Sequence, residues 1–280
     1  MPTRLLPAPE RLRTAFADPS APVELLCMLR TSGDPRAALR ERLAEVGGCI
    51  GWLARNEMLA IGHGPLHWTH TVIVQVARAE RLIAAAVAGG LEVDASDLQV
   101  HLLQRRRPPG LLLRALRLLR PIGRRFEGGD EGLAEVELSD VEDARLHPDR
   151  EQIRTLAASP RRTPAYMINF LAYRERAAYR VAVRRAKVSG RRAYERYGLV
   201  ALRSVYMLGG ELSLMGHLGT PLVDGAPTVA TGRWDDLAIV RYPSPRHLLK
   251  LARMPGYLAS LKHREAGLER TAVIVADALG

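Results

Sequence analysis

Aromatic side chains are scarce in this sequence: Phe, Trp and Tyr together make up 5% of it. The successive base-stacking platforms that hold single-stranded nucleic acid are therefore not available, and nucleic acid is not an expected partner. Lysine is nearly absent too, found only at Lys187, Lys250 and Lys262, so almost all of the 41 basic residues are arginines. Cysteine is limited to Cys27 and Cys49, with no CxxC pair and no histidine at ligand spacing. That excludes a disulfide framework and a thiolate metal site, and both cysteines read as buried thiols. The opening residues, MPTRLLPAPERLR, hold no continuous apolar run and no small-residue cleavage pattern, so no secretory signal is read and a cytoplasmic location is expected. Phosphate-loop, G-x-S-x-G, HExxH and dinucleotide fingerprints are missing as well, which argues against nucleotide-driven and classical hydrolase chemistry.

What the chain does have is material for a core. A composition of 47% hydrophobic and 25% charged residues belongs to a globular protein, and 280 residues suit two units. The 41 basic residues against 30 acidic ones give a net charge of +11, which favours anionic surroundings. An Arg-rich proteome and a functional basic surface account for that balance equally well.

Hydrophobic periodicity predicts the element order βαββαβ twice. In the first half, a strand over 23–30 precedes a helix over 36–46 that Gly47-Gly48 closes. Strand-like segments over 50–61 and 69–76, a helix over 79–88 and a strand over 98–103 follow. In the second, a strand over 166–173 precedes a helix over 191–208 that Gly209-Gly210 closes. Strands over 211–218 and 237–242, helical segments within 245–268 and a strand over 271–276 complete it. Trp68 and Trp234 lead into corresponding strands, as expected of residues that cap or fill a core. An internal duplication is the economical reading.

Residues 1–22, with prolines at 2, 7, 9, 19 and 22, read as an arm, 23–105 as the first α+β unit and 163–280 as the second. Between them, 106–162 reads as a connector. It opens with a basic amphipathic helix over 111–122, which places Leu112, Ala115, Leu116 and Leu119 on one face and Arg114, Arg117 and Arg120 on the other. Pro121 and Gly123 are expected to stop that helix, and the acidic stretch 127–143 to be a loop.

The second half carries MINFLAYRERAAY, GRRAYERYG, WDDLAIVRYPSP and MPGYLASLKHREAGL. In these pieces, over about residues 163 to 278, it resembles the DUF1330 family of the dimeric α+β barrel superfamily. The resemblance implies two tandem ferredoxin-like βαββαβ units whose sheets face each other and close a barrel within one chain. It implies no particular reaction, because cofactor-free oxygenases, isomerases, cyclases and haem enzymes share the superfamily.

Alternation along the strands then nominates lumen-facing residues, on the premise that the polar phase of each strand faces the ligand. These are Asn169 with Met167 and Leu171; Ser213, Met215 and His217; Thr71, Ile73 and Gln75; and Gln99 with His101. Asn169 and His217 form the best pair, with His217 or His101 as general acid or base. A strand histidine that merely satisfies a buried partner is the competing reading. His263 and Arg264 form a second candidate at the barrel mouth, where the resemblance is closest, against a plain solvated helix face. His63, His67 and His70 alternate faces on a strand and make an awkward ligand set, so no metal is expected, and no spacing selects a haem ligand.

Two functions follow from this reading. One is a small-molecule-binding protein or cofactor-free enzyme, of oxygenase, isomerase or cyclase type, holding an apolar carbonyl or aromatic ligand in the lumen. The other is a binding or scaffold protein docked on an anionic membrane surface or a protein partner through Arg114, Arg117 and Arg120. Exposed helices leave room for a homodimer.

Overall fold

The computed structural model describes residues 3–138, 143, 145–180 and 188–279; part of the acidic stretch expected to be a loop lies outside them. In chain order, strand β1 (Thr3–Arg4), helix α1 (Pro9–Ala15), β2 (Val23–Arg30), α2 (Arg36–Glu45), β3 (Gly48–Ile61) and β4 (His70–Val76) come first. Then come α3 (Ala79–Val87), β5 (Glu92–Val93), β6 (Asp97–Leu102) and β7 (Gln104–Arg106). Helices α4 (Gly110–Arg117), α5 (Arg120–Glu127) and α6 (Arg150–Ala158) link the halves. The second half is β8 (Ala165–Tyr173), α7 (Gly190–Met207), β9 (Glu211–Gly219), β10 (Trp234–Tyr242), α8 (His247–Lys250), α9 (Tyr257–Gly267) and β11 (Leu268–Ala278).

The two glycine pairs act as the sequence suggests. Gly47 and Gly209 follow the ends of α2 and α7 with φ of 61° and 77°, the left-handed conformation that a glycine adopts without a Cβ penalty. Ser189 accepts a hydrogen bond from the Arg192 amide at 3.3 Å and so caps the start of α7.

Nine strands form one antiparallel sheet in the order β6-β2-β4-β3-β11-β8-β10-β9-β7. Its two edges, β6 and β7, are one stretch of chain interrupted at Leu103. Because β6 pairs with β2 while β7 pairs with β9, the sheet comes round into a nearly closed barrel. The backbones approach closely at that seam: a Cβ on Gly216 would lie 2.8 Å from the Gln104 carbonyl oxygen. The whole is a mixed α+β fold around a nearly closed antiparallel sheet.

Three apolar layers divide the interior. Leu25, Cys27 and Leu29 of β2 pack with Leu39, Leu43 and Leu82 of α2 and α3 outside the first half of the sheet. Met167 of β8 with Val273 and Val275 of β11 packs beneath Tyr197 and Val205 of α7 and Leu261 of α9, outside the second half. The third layer draws on both halves, among them Leu26, Met28, Ile73, Ile168, Phe170 and Trp234, and fills the barrel itself.

Several expectations need correction. The arm is part of the core, since Pro9 opens α1 rather than preventing it, and Leu5, Leu12 and Phe16 are buried against the first half. Pro121 likewise sits in the first turn of α5, where its missing N–H costs nothing, so the stretch expected to be one helix over 111–122 forms two, α4 and α5. Gly123 lies within α5 and rests on the end of α7, where an added Cβ would be 2.0 Å from the Met207 carbonyl oxygen. Cys27 is buried, and burial pushes its thiol up to about 12, but Cys49 is exposed.

Candidate functional site

Large apolar side chains occupy much of the barrel interior. Phe170 and Trp234 rings meet there at 5.6 Å between centroids, and Leu26, Met28 and Ile168 are fully buried beside them. Strand phase in the first half is as expected: Val72, Val74 and Val76 lie under helices, Ile73 faces the barrel, and Gln99 and His101 are fully buried on the barrel side. In the second half the phase is the reverse of the expectation. Ile168 and Phe170 of β8 fill the barrel, while Met167, Asn169 and Leu171 face the helix layer, as do Met215 and His217 of β9. The polar phase of these two strands turns instead to a cavity on the helix side.

That cavity, of about 510 Å3, lies between the outer face of β8, β9, β10 and β11 and the helices α7 and α9. Helix α7 contributes a stripe at helical spacing, Tyr194, Tyr197, Gly198, Ala201, Leu202 and Val205. The small Gly198 and Ala201 in the middle of the stripe keep it from filling the space. Helix α9 adds Tyr257, Leu261 and Arg264, one turn apart. Beneath lie two cross-strand rows: Asn169, Ala238 and Met215 in one, Leu171, Asp236 and His217 in the next. Five of the eight tyrosines, at 173, 194, 197, 242 and 257, line this one cavity. Four of them form a chain of ring contacts, Tyr173 to Tyr194 at 5.4 Å, Tyr194 to Tyr197 at 5.3 Å and Tyr197 to Tyr257 at 6.0 Å. The Tyr197 and Tyr257 hydroxyls lie 3.1 Å apart.

At one end the apolar walls give way to a polar cluster centred on Asp236, which is buried. Its Oδ2 accepts from the Tyr173 hydroxyl at 2.9 Å and from the Arg191 guanidinium, and Arg106 lies 4.0 Å away. The other oxygen is 3.3 Å from Nδ1 of His217. The Arg191 guanidinium also lies 4.6 Å from the centre of the Tyr173 ring. With three donors on it, the Asp236 carboxylate is an anchor that orients the others rather than a free base. Burial pushes the Tyr173 phenol well above its ordinary range, and the neighbouring Tyr194 and Asp236 add to that, so Tyr173 stays protonated and donates. Burial likewise raises Tyr194 and, deeper, Tyr242 and Tyr257. His217 turns Nδ1 toward Asp236, which leaves Nε2 as the ring nitrogen on its far side. Arg191 spends one N–H on Asp236 and keeps others for a ligand oxygen.

The residues nominated from sequence therefore separate. Asn169, Met215 and Arg264 line the cavity, and His217 adjoins it through Asp236. The Asn169 side chain donates to the Met167 and Ala238 carbonyls at 2.9 and 3.0 Å, which ties β8 to β10 and limits what it can offer a ligand. Arg264 is buried rather than on a solvated face or a barrel mouth, and it donates to the Leu146 carbonyl. A β-bulge between Ile239 and Val240 brings Leu212 onto the wall and leaves Ser213 exposed. His263 is turned to the Tyr179 hydroxyl at 2.7 Å, away from the wall. Gln75 bonds Glu24 at 2.7 Å at the first half's end of the barrel. Gln99 Nε2 lies 2.8 Å from His101 Nε2 inside the barrel, where burial lowers His101 to about 4 and keeps it neutral. His101 is thus remote from the cavity.

Tyr173, Arg191, Tyr194 and Asp236 were not nominated from sequence, although all four stand in or beside the stretches that carry the resemblance. The available signal was a carboxylate, Asp236, within an otherwise apolar strand.

No family model matches the chain, and no curated protein matches it, so the DUF1330 resemblance stands without a matching model. Among solved structures, a protein of unknown function from Rhodopseudomonas palustris is 28% identical, covering 48% of this chain and 97% of its own at a TM-score of 0.42. A candidate monooxygenase from Lactobacillus acidophilus is 10% identical over 92% of this chain and 94% of its own, with a TM-score of 0.39. A mutant chlorite dismutase from Candidatus Nitrospira defluvii in complex with cyanide is 10% identical over 96% of this chain and 95% of its own, with a TM-score of 0.38. The chain is similar in outline to these structures, and no family membership follows.

Proposed function

We propose that this chain is a small-molecule-binding protein, with cofactor-free proton-transfer chemistry of the oxygenase, isomerase or cyclase type. Its site in this reading is the cavity under α7 and α9. Two ferredoxin-like units in tandem, the second related to DUF1330, are the frame that we infer for it. Both four-strand sets run in the spatial order fourth, first, third, second, which supports that frame.

The observation that carries the reading is the shape of the cavity's chemistry. Aliphatic and tyrosine walls enclose a volume typical of ligand sites and converge on one buried polar cluster. Such a site suits an apolar or aromatic molecule bearing a single carbonyl or phenolic oxygen. That oxygen accepts from Arg191, which stabilises the negative charge that develops there when an adjacent proton leaves. The proton passes to Nε2 of His217, and Asp236 stabilises the imidazolium.

A thermal-shift screen with phenols and aryl ketones, naphthol and acetophenone among them, tests this. Stabilising compounds should act on the wild type and fail with Leu202→Trp, which fills the cavity, and weaken with Arg191→Gln. Undiminished shifts in the Leu202→Trp protein would remove the cavity from consideration.

A further inference from the structure

From Gln104 to Phe126 the chain holds eight arginines and no acidic residue. Helices α4 and α5, which occupy most of that stretch, use only part of their apolar surface for packing: Leu113, Leu116 and Leu119 lie against the second half. Leu111 and Leu118, two helical turns apart, are left 80% and 78% exposed, and Ile122 and Phe126, one turn apart on α5, are 46% and 41% exposed. Leu111 and Leu118 are the most exposed large hydrophobic side chains among the described residues. Single exposed apolar side chains are ordinary, but four on consecutive short helices among unpaired arginines are not.

The arginines divide in the same way. Arg120 is not on the exposed face, since it donates to the Met207 carbonyl at 2.9 Å and pairs with Glu127 at 2.7 Å, and Arg117 pairs with Glu211 at 3.4 Å. Arg107, Arg114, Arg124 and Arg125 are exposed and have no ion-pair partner among the described residues. Arg114 lies one turn from both Leu111 and Leu118.

We propose that α4 and α5 dock this protein on an anionic lipid bilayer, with Leu111, Leu118, Ile122 and Phe126 entering the interface and Arg107, Arg114, Arg124 and Arg125 pairing with acidic headgroups. Charge complementarity selects this occupant. A symmetric contact with a second copy would set the same arginines against one another, and like charges at an interface repel. No helix of the described residues is long and apolar enough to cross a membrane, so the association is peripheral. Pro108 and Leu112, in the same stretch, also line the cavity, so docking brings one of its walls to the bilayer. That an apolar ligand is loaded there rests on the proposed function; the docking does not.

Sedimentation of the full chain with vesicles tests the proposal, using phosphatidylcholine alone and phosphatidylcholine with about 30% phosphatidylserine, at about 0.1 M salt. The wild type should bind the acidic vesicles only and be released by added salt. Arg114→Gln, Arg124→Gln and Arg125→Gln combined should weaken partitioning about a hundredfold, from roughly 1 kcal/mol for each arginine near the surface. Leu111→Ser with Leu118→Ser should weaken it comparably without changing the melting temperature, while Arg40→Gln with Arg42→Gln on α2 should leave it as it was. No binding by the wild type, equal binding to neutral vesicles, unchanged binding by the α4–α5 variants, or equal loss in the α2 variant would overturn the proposal. So would a dimer in lipid-free sedimentation velocity that the Leu118→Ser change dissociates. Because Leu202 is none of the residues proposed to meet the bilayer, vesicle binding retained by Leu202→Trp separates failure of the cavity reading from failure of the docking.

Discussion

Asp236 is the residue on which the polar end of the cavity depends. Its carboxylate is surrounded by Tyr173, Arg191 and His217, so its charge is compensated only as long as they stay in place. Changing it to Asn keeps the volume but leaves Arg191 without its counter-charge. We expect a loss of roughly 3 kcal/mol in urea unfolding, because removing one partner strands the other's charge. A loss below about 1 kcal/mol, the scale of an exposed pair, would contradict the burial argued for it. His101 gives the complementary test at the same scale. Burial lowers it from 6.5 to about 4, so between those values the unfolded chain takes up the proton and the folded one does not. Its contribution is therefore full above pH 6.5 and is lost as the pH falls toward 4, about 3 kcal/mol in all. His147, which burial beside Arg264 also lowers to about 4, adds to the same window. Measured stability should fall from pH 6.5 to 4, and the slope should be shallower in His101→Gln; an identical slope in that variant would contradict the assignment.

At the scale of elements, helix α7 makes the cavity because its inward stripe includes Gly198 and Ala201 where larger residues would close it. Nothing lies within 4 Å of the Cβ that Gly198 lacks, so Gly198→Ala should stabilise the protein by about 1 kcal/mol through helix propensity alone, measured by urea denaturation. A destabilised variant would mean that this face of α7 is more tightly covered than described. Helix α6 is held at its start by a reciprocal cap between Asp149 and Gln152, and Asp149→Ala should cost about 1 kcal/mol. That cap was legible as an Asp-x-x-Gln signature, and the connector nonetheless reads as featureless when only long periodic stretches are sought. Strand and helix positions in the two halves were legible because their periods are clean and their glycines stand at the ends. Which face of β8 and β9 meets the helices was not. Alternation separates Ile168 and Phe170 from Asn169 and Leu171, but it carries no sign, and the supposition that polar residues must face the lumen supplied the wrong one. The packing partners on α7 and α9 decide the sign, and they are distant in sequence. The same holds for Asp236, whose neighbours come from β8, α7 and β9.

For the molecule as a whole, closure of the sheet at the β6–β7 corner makes both halves share one interior. That interior is packed with Trp234, Phe170, Ile168, Leu26 and Met28, and the cavity described above lies outside it, in the second half's helix layer. Over the first half's outer face, valines and leucines meet α2 and α3. On the proposed reading, the first half serves as support and the second holds the site. A crystal of the protein under xenon pressure tests this division most directly, because xenon enters apolar voids whatever the natural ligand is. The account predicts xenon between α7 and the sheet, beside Leu202 and Val205, with none inside the barrel; xenon among Phe170, Trp234 and Ile168, and an empty space beneath α7, would contradict it.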